Sequence, residues 1–154
     1  MGVILVGEDN PYGSEPEFAL YPSPRGCSGH RLMEILGLPD DVYVALHRTN
    51  LCDSGAWSMK EARRRARLLS ADPSAPWRTI VPLGRKVAEA FGYELPFFTS
   101  GIEPLTAMWS TPITLVSLPH PSGRNASTWC KPELRGRARE ILRELAPSVA
   151  WGSA

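Results

Sequence analysis

The sequence predicts an α/β protein, a three-layer α/β/α arrangement around a central, mostly parallel four-stranded sheet. Two observations carry this expectation. Short runs rich in Val, Ile and Leu recur along the chain, as parallel strands buried on both faces require. Between them lie segments with apolar residues at helical spacing and recognisable start and stop residues.

The first run, Val3 to Val6, reads as a buried strand. A helix follows from Ser28 to Leu36, with Leu32, Ile35 and Leu36 on one face and Gly37 as its stop. Val42 to Leu46 reads as the second strand. Ser58 and Glu61 fit a capping box that opens a helix through about Leu69. The third strand is expected at Thr79 to Pro82, then a helix from Gly84 to Phe91. The fourth strand is Ile113 to Leu118. The last helix begins near Pro132, with Leu134, Ala138, Ile141, Leu142 and Leu145 at helical spacing. Right-handed crossovers put the ends of all these strands on one edge, where open α/β sheets bind ligands.

At 154 residues the chain is expected to form a single domain, residues 1–154. Its net charge of +1 gives no global basic field. Arginines cluster locally at Arg63, Arg64, Arg65 and Arg67, and again at Arg135, Arg137, Arg139 and Arg143; Glu61, Glu133, Glu140 and Glu144 suggest balanced, solvated helix faces. No run approaches the roughly 18 apolar residues of a membrane span, and Gly2 to Gly7 lacks the basic leader of a signal peptide. Cys27, Cys52 and Cys130 are widely spaced and odd in number, which points to reduced thiols in a cytoplasmic protein without a metal site. The protein is expected to be a monomer.

Chemistry-bearing residues follow the strands. Gly7-Glu8-Asp9-Asn10-Pro11-Tyr12-Gly13 presents carboxylates, a carboxamide and an aromatic ring beside the sheet edge. His47-Arg48-Thr49-Asn50-Leu51-Cys52 offers a carboxamide, whose adjacent donor and acceptor suit a pyrimidine edge. Leu118-Pro119-His120-Pro121-Ser122-Gly123-Arg124-Asn125 holds polar groups in a loop stiffened by proline. The long segment from Asn10 to Gly29 connects two candidate site segments, and a connection of that length is read as functional.

His120 to Asn125 resembles the second motif of the uracil-DNA glycosylase superfamily, His-Pro-Ser-x-x-Asn. Gly7 to Tyr12 resembles the first motif, which reads Gly-Gln-Asp-Pro-Tyr-His, Gly-Ile-Asn-Pro-Gly or Gly-Glu-Ala-Pro-Gly in different families. This chain departs from all three forms by one extra residue. The catalytic polar group is therefore either Asp9, aligned through Gly-Gln-Asp, or Asn10, aligned through Asn-Pro. Asn50 matches the base-contacting Asn of the Thr-Asn-x-x-Lys-Cys segment in the iron–sulfur families, but the Lys is absent and the cluster cysteines are missing. Gly26-Cys27-Ser28-Gly29 with Leu32 resembles the Gly-x-x-Gly-x-x-Leu segment that opens the first helix, and Leu83-Gly84-Arg85 the turn after the third strand.

The resemblance implies a monofunctional DNA glycosylase acting on single- or double-stranded DNA with no cofactor. Asp9 or Asn10 would position water, and His120 would stabilise the departing base. Glu8, Tyr12, Tyr21 (or Phe18) and Asn50 would hold that base. Ser28, Ser122, Gly123, Arg124 and Asn125 would contact DNA, with Arg124 on phosphate or wedged into the stack. The implied substrate is uracil or another deaminated base, or a 5-modified, phage-type pyrimidine if Tyr12 does not crowd C5. A non-catalytic nucleotide- or damaged-DNA-binding module of the same fold is the competing reading.

Overall fold

The computed structural model describes residues 2–9, 15–53 and 56–152. Its centre is a five-stranded sheet in the order β2-β1-β3-β5-β4. The strands are β1 (Gly2–Asp9), β2 (His47–Cys52), β3 (Trp77–Pro82), β4 (Thr99–Ile102) and β5 (Thr114–Ser117). All pairings are parallel except that of β4 with β5.

Helices cover both faces. Val3 and Leu5 of β1 face α1 (Ser28–Leu36), α2 (Asp40–Ala45) and α6 (Pro132–Leu145), where they pack with Leu32, Ile35, Tyr43 and Leu142. Ile4 and Val6 face the opposite layer, α3 (Met59–Ala71) and α4 (Arg85–Ala90), and pack with Ala62, Ala66 and Val87. The side-chain alternation of one strand thus feeds two cores. A short α5 (Ala126–Trp129) precedes α6.

Local signals set the helix ends. Ser58 accepts a hydrogen bond from the Glu61 amide at 3.3 Å, and Gly37 closes α1 at φ +66°. The N-cap of α1 is Cys27, whose sulfur accepts from the His30 amide. No helix among the described residues is long and apolar enough to cross a membrane.

The structure corrects the strand pattern in two places. Residues 42–46 are not a strand: they fall mostly in α2, which opens after Pro39 with Asp40 and Asp41 in its first turn. Carboxylates there complement the helix dipole and outweigh the β preference of Val42 and Val44. The strand follows as β2, a more polar segment at the sheet edge with only Asn50, Leu51 and Cys52 buried. The sheet also gains an antiparallel edge strand, β4, for which Thr-Ser-Gly-Ile gives no apolar run. The sheet therefore has five strands rather than four.

Candidate functional site

The chain runs from β1 outward to β2 and then crosses back past β1 to β3, so the strand order switches direction beside β1. Such a switch point opens a crevice at the carboxyl ends of the strands. A cavity of about 400 Å³ sits there, lined by Glu8, Asp9, Phe18, Leu20, Tyr21, Cys27, Ser28, Gly29, Asn50 and His120. Glu8 and Asp9 of the first motif, Asn50 of the second segment and His120 of the third thus share one cavity. Asn10 and Tyr12 lie outside the described residues.

Asn50 forms the floor. It pairs with Gly7 across the β1–β2 ladder and is only 7% exposed. Its backbone carbonyl accepts from Thr49 and Arg65, while its carboxamide bonds to no described residue. A Cβ on Gly7 would stand 2.3 Å from Asn50 Oδ1, so the glycine makes the space that the carboxamide occupies. The obstruction is the end of a side chain, which can move without unfolding the strand. Gly7→Ala is expected to keep the melting temperature close to wild type while displacing Asn50. Ligand binding at the cavity should then fall as far as it does for direct loss of the carboxamide. Unimpaired binding by Gly7→Ala would contradict this placement.

The wall opposite β1 is braced from behind. Leu20 takes φ +51°, an uncommon conformation for a side-chain-bearing residue. The buried Tyr43 hydroxyl donates to Leu20 O at 2.7 Å, and Arg48 donates to Ala19 O at 2.8 Å. Gly29 closes the same wall, since a Cβ there would come within 2.2 Å of the Leu20 and Tyr21 carbonyl oxygens. Tyr21 and Phe18 remain more than a third exposed and meet edge to face, presenting aromatic surface at the rim. Tyr43 and Arg48 are positioning residues that the sequence pattern does not reveal, because Tyr43 sits in the apolar run read as a strand.

His120 enters from the end of β5. Its Nδ1 accepts from the Ser122 amide at 3.1 Å, and Asn125 Nδ2 donates to its carbonyl at 2.8 Å. Asn125 therefore closes the loop on itself. With Nδ1 accepting, the neutral imidazole carries its proton on Nε2 and can donate there. Burial pushes the His120 pKa below the ordinary histidine value, and the nearby Glu8 and Asp9 carboxylates only partly oppose this.

Such a group binds more protons unfolded than folded in the window below the free-histidine value of about 6.5. Stability therefore falls as pH drops through that value toward the depressed one. His120→Gln should lose less melting temperature than wild type between neutral pH and pH ~5. Equal acid losses in the two proteins would mean that His120 is not held neutral by burial.

A second cleft, of about 500 Å³, continues from the cavity across Glu8 and His120. It is lined further by Gly84, Arg85, Lys86, Phe97, Ser122, Arg124 and Asn125. The Arg85 guanidinium lies 4.8 Å from the Phe97 ring centre. Ser122, Arg124 and Asn125 thus gather in this adjoining cleft, whereas Ser28 lines the first cavity. Gly123 is exposed at the top of the loop, close to Arg31. Phe97 and Lys86 carry no motif signal and come to the cleft only through the packing of α4 and the turn before β4.

The arginine clusters divide differently from their sequence grouping. On α3, Arg64 and Arg65 pair with Glu61, Arg65 also with Asp53, and Arg63 approaches Glu89 at 3.9 Å. On α6, Arg137 pairs with Glu140, but Arg135, Arg139 and Arg143 donate to the backbone carbonyls of Trp129, Ile35 and Gly152. Among the described residues, no group of three or more His, Cys, Asp or Glu side chains is placed to hold a metal ion, and all three cysteines are free.

Compared with known proteins, the chain matches no family model, and no curated protein is significantly similar to it.

Proposed function

We propose that the protein is a DNA glycosylase that hydrolyses the N-glycosidic bond of a pyrimidine turned out of the stack. One observation carries the reading: a carboxylate, a buried carboxamide without a described protein partner, and a histidine whose Nδ1 accepts from a backbone amide line a single cavity at the sheet's switch point.

Each group meets one demand of the reaction. Asn50 offers a donor and an acceptor side by side to the base edge. Tyr21 or Phe18 supplies a ring for stacking. As the N–C1′ bond stretches, its electron pair moves onto the base and the sugar becomes cationic. His120 Nε2–H donates to the base oxygen on which negative charge collects. Asp9 lies on the α1 side of β1, the side of Gly7 and Asn50, because alternate strand residues share a face. Its carboxylate opposes the cationic sugar and takes a proton from the water that adds to C1′. The products are an abasic site and the free base, which solvent protonates. Extruding the base costs a few kcal/mol, least where pairing is already weak.

The substrate class is uracil or another deaminated base, or a 5-modified pyrimidine. Incubating the protein with oligonucleotides carrying each of these, followed by alkaline cleavage at abasic sites, tests the reading. Cleavage of any one of them is the expected outcome. A protein that binds such DNA without ever releasing a base would instead be a binding module.

A further inference from the structure

A third cleft, of about 330 Å³, lies on the far side of the 121–125 loop, between α1 and the α5–α6 corner. Its polar lining is Arg25, His30, Arg31, Glu34, Ser122 and Arg135. Glu34 is the one acid, and it faces His30 at 3.9 Å. Arg25, Arg31 and Arg135 stand in no ion pair among the described residues. Arg31 is held through Nε by Gly26 O at 2.8 Å, which leaves its terminal nitrogens toward Gly123, where a Cβ would meet Nη1 at 3.0 Å. Trp129, 3% exposed, also lines the cleft, and its indole N–H has no hydrogen-bond partner. The cleft is rich in donors and poor in acceptors. That composition suits a phosphate backbone, which brings only acceptors.

Its position gives the occupant a direction. Ser122 lines both this cleft and the one holding Arg85, Lys86 and Arg124. The base cavity joins the Arg124 cleft at Glu8 and His120, and its wall at Cys27, Ser28 and Gly29 continues directly from Gly26 of the third cleft. We infer that a single nucleic-acid strand crosses the 120–125 loop with phosphates on both sides of the cavity, and that Arg25, Arg31 and Arg135 hold the flank on the α1 side. The track itself follows from charge and shape; only its register at the cavity rests on the glycosylase reading.

The test is binding of a labelled, undamaged single-stranded oligonucleotide, followed by anisotropy over a range of salt concentrations. Arg25→Gln is the first variant, because Arg25 is exposed and makes no described bond that the fold needs. Arg31→Gln is the second, paired with Arg31→Lys, which keeps the charge. Each lost contact should reduce the slope of log K against log salt by about 0.7, with weaker binding at every salt. Arg31→Lys should recover most of the slope. Arg67→Gln, on α3 in the opposite layer, should bind as wild type. Oligonucleotides trimmed from one end or the other around a stable abasic analogue should lose the Arg25 effect for one trimming only.

If Arg25→Gln and Arg31→Gln keep the wild-type slope while folded, the track is wrong, whatever the outcome for base release. If no base is ever released but the slopes fall as stated, the track stands and the catalytic reading fails.

Discussion

Asp9→Asn should lower base release by about 10²–10³-fold, the usual cost of removing one key electrostatic group from a reacting site. Asp9 is the last residue of β1, opposite Cys52 in the β1–β2 register, and it lines the cavity with Asn50 and His120. A carboxylate there is fixed by the sheet and opposes charge that exists only as the bond breaks. Binding of undamaged DNA should change little, so the loss should fall on the single-turnover rate. The comparison variant is Asn10→Ala, the other residue that the first motif allows as the water-positioning group. Single-turnover kinetics on a verified substrate separate the two. Asp9→Asn with a near-wild-type rate, beside a crippled Asn10→Ala, would move the role to Asn10. Full rates in both would remove water activation from this turn altogether.

Asn50→Leu should abolish activity while leaving the fold as stable or more stable. Asn50 is buried at the foot of the cavity, and its carboxamide bonds to no described residue. The carboxamide therefore gives the described residues no hydrogen bond, and an unpartnered polar group costs up to about 1–3 kcal/mol where water is kept from it. Leucine is of similar size and carries no such cost, so thermal unfolding should shift upward or stay in place. A residue kept for structure behaves oppositely, losing stability with function. The paired result, a held or raised melting temperature with no base release, is the signature of a group reserved for a ligand. A marked fall in melting temperature would show that the carboxamide supports the fold instead.

The sequence made the site more legible than the sheet. Ends of parallel strands share one edge, so Glu8, Asp9, Asn50 and His120 could be brought together without knowing a single contact. Helix ends were legible too, since Ser58 with Glu61 and Gly37 act within a few residues of chain. The edge strands were not. β2 and β4 are partly solvated, so their apolar signal is diluted by residues such as His47, Thr99 and Gly101. The run at 42–46 misled because its apolar residues pack from a helix whose start depends on Pro39 and two aspartates. The bracing of Leu20 by Tyr43, and the unpaired arginines beside Trp129, arise from contacts between distant segments. Periodicity cannot report those.

The most direct test of the central claim is single-turnover formation of abasic sites. Oligonucleotides bearing uracil, other deaminated bases or 5-modified pyrimidines would be presented singly and in duplex, with wild type beside Asp9→Asn and His120→Gln. Alkali-sensitive sites at the target base are expected for wild type on at least one of these substrates, with the rate sharply reduced in both variants. Intact strands from a folded, DNA-binding wild-type protein across the whole set would contradict that claim.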